Sequence, residues 1–134
     1  MITILIIWFL CVLNVFIHEI THSLFCVIFK QNIKIIVVGD FKLFSYKKIT
    51  FGLLPISGKV IFNPSNLTKN KWKLIYLSGP LITLSLLIVY SMFIKFFFTK
   101  ILIMQLLIHL FFSTVPKDSD FRNAFNFRLE DYDG

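Results

Sequence analysis

The residues with the clearest chemical potential lie close together near the start of the chain, in His18-Glu19-Ile20-Thr21-His22. On a helix, positions i and i+4 fall one turn apart on the same face, so His18 and His22 can aim two imidazoles at one metal ion. Glu19 is rotated about 100° around the helix from His18. From there its carboxylate reaches a water held by the ion rather than the ion itself. A zinc ion lowers the pKa of such a water, and a carboxylate in this position accepts its proton as the oxygen attacks a carbonyl. His18 and His22 are therefore read as metal ligands, Glu19 as the general base, and the cofactor as one Zn2+ per chain.

The segment carrying these residues is otherwise apolar from about residue 2 to 29. At 1.5 Å per residue it is long enough to cross a hydrocarbon core of about 30 Å with some tilt. It has no positive leading region and no small-residue cleavage site, so it reads as a span rather than a signal peptide. Three ionisable side chains within five residues are expensive in lipid, and such groups are functional by default. The bland alternative is a polar seam that pairs with other helices. Further apolar runs extend from about 72 to 98, interrupted near the start by Gly79-Pro80, and from about 101 to 115, ending before Pro116. Thr99-Lys100 then forms a tight connection between antiparallel neighbours.

Composition agrees with a membrane setting. Of 134 residues, 57% are hydrophobic and 17% aromatic, including seventeen Phe, more apolar surface than a small soluble domain can bury. The net charge of +7 is concentrated in the lysines between residues 30 and 73. Without a nucleic-acid-binding signature, this basic stretch is read through the positive-inside rule as cytoplasmic. That places the N-terminus outside, the 99–100 connection outside and the C-terminus inside, with Lys95 and Lys100 snorkelling to the outer interface. No nucleic-acid partner is expected. The two cysteines, Cys11 and Cys26, are not spaced as a redox or zinc pair and read as buried hydrophobes.

Between the first and second runs, Ile33–Val38 and Val60–Phe62 are short, apolar and rich in β-formers, with turn signals at Gly39-Asp40, Gly52, Pro55 and Gly58. They suggest a small re-entrant β-element spanning about 33–62, packed on protein or lining a wet cavity because bare strand edges cannot face lipid. The expected fold is a single 1–134 unit, an all-α membrane protein of three transmembrane helices with that β-element inserted.

Four segments together resemble the site-2 protease family of intramembrane zinc metalloproteases. They are the His18–His22 motif in a membrane helix, Leu54-Pro55-Ile56-Ser57-Gly58-Lys59-Val60, Ser78-Gly79-Pro80-Leu81-Ile82-Thr83, and Pro116-Lys117-Asp118-Ser119-Asp120. The resemblance runs from the first helix to about Phe127. It implies a zinc endopeptidase that cleaves a transmembrane segment of a membrane-protein substrate. It also implies a multi-pass protein of a bacterial cell membrane, surrounded by lipid and controlled by a regulatory membrane protein. By the same resemblance the third zinc ligand is Asp120, with Asp118 as the alternative. The family's substrate-positioning asparagines correspond to Thr83 and Ser113, and its glycine after the aspartate to Phe121. Hydroxyls donate with shorter reach and one group fewer than amides, so Thr83 and Ser113 are weaker candidates for substrate or oxyanion contacts.

Other polar residues have simpler readings. Cys26 lies one turn past His22, and packing is favoured over ligation. His109, midway along the third run, is expected to hydrogen-bond across the bundle or lie near the site. Asn14 fits an interhelical hydrogen bond, Trp72 an interface anchor, and Phe96-Phe97-Phe98 a lipid-facing patch. Two rivals from other classes remain. One is a metal-binding or substrate-holding membrane protein without protease activity. The other is a structural membrane subunit whose polar residues join helices.

Overall fold

The computed structural model describes residues 1–127. The elements are α1 (Ile2–Ile28), β1 (Asn32–Tyr46), β2 (Ile49–Asn63), α2 (Lys69–Ser91), α3 (Phe97–Thr114) and a short α4 (Asp120–Phe125). α1, α2 and α3 are each long and apolar enough to cross a membrane. The inward stripe of α1 is mostly polar, with Asn14, His18, Glu19, His22 and Ser23 all buried. Ile4, Leu5, Phe9, Leu24 and Val27 point outward and are exposed. This inside-out distribution suits a helix whose surroundings are lipid: the apolar face meets the solvent, and the polar groups find partners within the protein.

The β-element is larger than a small hairpin. Its two strands have fifteen residues each and pair antiparallel, so the fold is three long helices and a short fourth with a β-ribbon, and not all-α. The expected turn positions lie inside the strands. The reversal between β1 and β2 occurs at Lys47-Lys48, with Lys47 at φ 52°. Gly39 (φ 85°) and Phe41 (φ 56°) instead mark a break within β1. There the ribbon doubles back, so that Ile36, Val37 and Val38 pair both with Val60, Lys59 and Gly58 and with Ile49, Thr50 and Phe51. A side chain at Gly52 would run into the backbone of Gly39 and Asp40, which explains a glycine where no turn is made. Ile36 and Val38 pack on Val15 of α1. The Trp8 indole donates to the Leu53 carbonyl at 2.7 Å, so the ribbon runs alongside much of α1. Gln31 closes its base, donating to Ser65 O and accepting from Ser65 N.

α2 continues unbroken through Pro80 and ends at Ser91, and α3 begins at Phe97. The connection is therefore Met92–Phe96, and Thr99 and Lys100 lie inside α3. Residues 92–96 are almost all apolar, so hydropathy alone does not separate the two helices. Trp72 is not an interface anchor. It is 3% exposed, packs with Cys26, Phe62, Leu67 and Ile75, and donates from Nε1 to Asn123 O at 2.6 Å, which ties α4 to α2. Cys26 is one of its packing partners. Asn14 bridges helices as expected, donating to Gln105 Oε1 of α3 and accepting from the Tyr90 hydroxyl of α2.

Candidate metal centre

The helical spacing of α1 brings His18 Nε2 and His22 Nε2 to 3.1 Å of each other. α4 supplies the third group. Ser119 caps that helix, its hydroxyl accepting from Arg122 N, and so places Asp120 in the first turn. Asp120 Oδ2 lies 3.0 Å from His18 Nε2 and 3.1 Å from His22 Nε2. Asp118 is exposed and does not join this group. Of the two aspartates considered, the structure brings Asp120 to the histidines.

Each ring is held from behind. His22 Nδ1 lies 2.6 Å from the Ile75 carbonyl. A carbonyl can only accept, so Nδ1 carries the proton and Nε2 presents a lone pair. His18 Nδ1 is 2.7 Å from the hydroxyl of Thr83, which is fully buried. Three ligand-type atoms thus converge in a nearly equilateral triangle. One shared proton can satisfy only one pair of them, whereas a cation satisfies all three. Metal–ligand bonds of about 2.0–2.1 Å at tetrahedral angles place ligand atoms about 3.3 Å apart, close to the observed spacing. The donor set therefore fits a tetrahedral divalent ion with three protein ligands. Burial alone would raise the Asp120 pKa, but the hydrogen bonds to His18 and His22 outweigh it and hold the carboxyl below the usual carboxylate range.

Two glycines make this packing possible. A Cβ on Gly79 of α2 would sit 2.5 Å from His18 Nε2 and 2.6 Å from His22 Cε1. A Cβ on Gly58 of β2 would sit 2.6 Å from Glu19 Oε1. Glu19 is 1% exposed, and among the described residues its Oε2 has no hydrogen-bond partner. It opens onto a cavity of about 250 Å³ lined by residues 57–62 of β2, by His109 and Ser113 of α3, and by Asp118, Ser119 and Asp120. Ser113 directs its hydroxyl to Leu110 O of its own helix, 3.1 Å away.

Most of the expected residues thus meet at one place. Thr83 lies behind a metal-facing ring rather than in the cavity. The closeness of Gly79 and Gly58 to the site escapes sequence reading, because it depends on side chains at least 39 positions away. The two segments singled out by resemblance, Leu54–Val60 and Ser78–Thr83, did carry a signal for Gly58 and Gly79. The chain matches no family model, no curated protein and no solved structure.

Proposed function

We propose that the chain is a zinc-dependent intramembrane endopeptidase that hydrolyses a peptide bond in or near a transmembrane segment of another membrane protein. One observation carries this reading. A triangle of His18, His22 and Asp120 stands beside an unpartnered Glu19 carboxylate oxygen, at a cavity bordered by a β-strand. Zinc bound there would supply Lewis acidity to the scissile carbonyl and lower the pKa of water. The protein's own groups do the rest. Ile75 O and Thr83 fix the two imidazoles, which narrows the geometry open to the ion. Glu19 takes the proton of the attacking water and passes it to the leaving amine. Residues 57–62 of β2 line the cavity, so an unwound substrate segment is held extended by strand addition at that border.

Three long apolar helices support an integral membrane location. The lysines between residues 30 and 73 favour a cytoplasmic side for the ends of the ribbon, with the N-terminus outside, as in a bacterial cell membrane. Thr83 is assigned to orienting His18 rather than to substrate.

One observation favours a second reading, a metal-holding or substrate-holding protein without protease activity. The hydroxyls of Thr83 and Ser113 are both engaged within the chain, so neither hydroxyl is free to steady the oxyanion. The test is incubation of the purified protein in detergent with quenched transmembrane peptides, followed by mass mapping of the products. Cleavage should stop with a zinc chelator and return with added zinc. A chelator-insensitive product, or a protein that holds zinc and never cleaves, defeats the protease reading.

A further inference from the structure

His109 sits in the middle of α3, in an otherwise apolar stretch, and is 2% exposed. Its Nδ1 lies 2.7 Å from the Ile56 carbonyl, so Nδ1 carries the proton and Nε2 is left as an acceptor. That Nε2 has no partner among the described residues. A buried acceptor left unpaired is costly. The ring is also fixed in place. It stands edge-on to His18 with centroids 4.4 Å apart and planes at 79°. One turn earlier, Gln105 donates to Pro55 O at 2.8 Å, so α3 grips the strand at two successive residues.

Among the described residues, the buried Glu19 Oε2 is likewise an acceptor without a partner. Ligand-type atoms of His18, Glu19 and His109 all lie within 4.8 Å of one another. A water donating two hydrogen bonds of ordinary length at its tetrahedral angle spans acceptors about 4.7 Å apart.

We propose that His109 is a catalytic residue that receives the second O–H of the attacking water while Glu19 receives the first. This rests on the hydrolase reading above. The water oxygen forms its bond to the scissile carbonyl carbon and one proton passes to Glu19. The other proton stays on oxygen, donated to His109 Nε2, so the oxygen lone pair is turned toward the carbonyl. When the C–N bond breaks, the Glu19 proton goes to the amine, and His109 ends unchanged. An orienting acceptor of this kind explains a neutral histidine whose inner nitrogen is tied to backbone and whose outer nitrogen is free.

The test compares wild type, His109→Asn and His109→Gln as full chains in detergent. Asparagine keeps an amide near the Nδ1 position and loses the outer atom, whereas glutamine places a polar atom near Nε2. Three quantities are read: zinc bound per chain, affinity of the zinc-loaded protein for acetohydroxamate, and kcat and KM on a cleaved peptide. The expected result is full zinc binding in all three proteins. His109→Asn should lose about 100-fold in kcat with KM unchanged and bind acetohydroxamate about tenfold more weakly, with His109→Gln recovering most of both. Zinc loss in His109→Asn makes His109 a ligand or a structural residue and overturns the proposal. Unchanged kcat and hydroxamate affinity, or a glutamine variant as impaired as the asparagine one, does the same. A wild type that binds no zinc or cleaves nothing defeats the underlying hydrolase reading, and this proposal with it.

Discussion

Replacing Gly79 with alanine should remove the metal without unfolding the protein. The added methyl would start 2.5 Å from His18 Nε2, where ordinary contacts begin at 3.4 Å. The ring or the helix must therefore retreat by about 0.9 Å, while a metal site tolerates deviations of about 0.2 Å. The three ligand atoms are only 3.0–3.1 Å apart, so displacing one ring breaks the triangle instead of stretching it. His22 meets the same methyl, and neither ring can yield toward the other. We expect zinc affinity to fall on the order of 100-fold, the upper end for changes that misplace a ligand. Helix content should hold, because alanine is favoured over glycine inside a helix by about 1 kcal/mol. The assay is chelator competition for zinc in detergent, paired with far-ultraviolet circular dichroism. Leu81→Ala, at an exposed position of the same helix, is the control. A Gly79→Ala protein that holds zinc as tightly as wild type would falsify the proposed crowding around the two imidazoles.

Other residues of the centre make separate forecasts. Asp120→Asn should lower zinc affinity by at least tenfold while Asp118→Asn leaves it unchanged, and the reverse pattern in a chelator titration would reassign the third ligand. Thr83→Val removes the hydroxyl behind His18 at nearly constant volume. Zinc affinity should drop about tenfold and KM should stay near wild type, whereas a KM effect alone would return Thr83 to a substrate role. In the metal-free protein, the depressed Asp120 pKa makes its contribution complete above about pH 4 and lost as the pH falls below that. Release of α4 on acidification should show in Trp72 fluorescence in a Trp8→Phe background, and release already at pH 6 would contradict the assignment.

How far these features were legible in the sequence depended on how local they are. His18, Glu19 and His22 could be read because their relation is set by one turn of one helix. The choice between Asp118 and Asp120 depended on where α4 starts after Pro116, which is fixed by the Ser119 cap and the docking of Trp72 on Asn123. The ribbon was misread in a consistent way. Gly39, Gly52, Pro55 and Gly58 are turn-type residues that all lie inside long strands; Gly39 marks the break in β1, Gly52 and Gly58 permit close approach, and the reversal falls on two lysines. The break at 92–96 is hard to see in the sequence because these exposed residues, Lys95 apart, are as apolar as the helices beside them. His109 is where the sequence reading expected it, bonded across the bundle and beside the site, and Gly79 lies in a segment singled out by resemblance, but their contacts run to neighbours tens of residues distant, which no periodicity in a single helix reports.

The central claim is hydrolysis by a zinc site with Glu19 as base. Its most direct measurement is cleavage of a membrane substrate by wild type and by Glu19→Gln at matched zinc content. Glutamine keeps the shape of the side chain and leaves His18, His22 and Asp120 in place. Equal zinc per chain and a loss of cleavage of about 100-fold or more are expected. Equal cleavage by the two proteins, with zinc present in both, would contradict it.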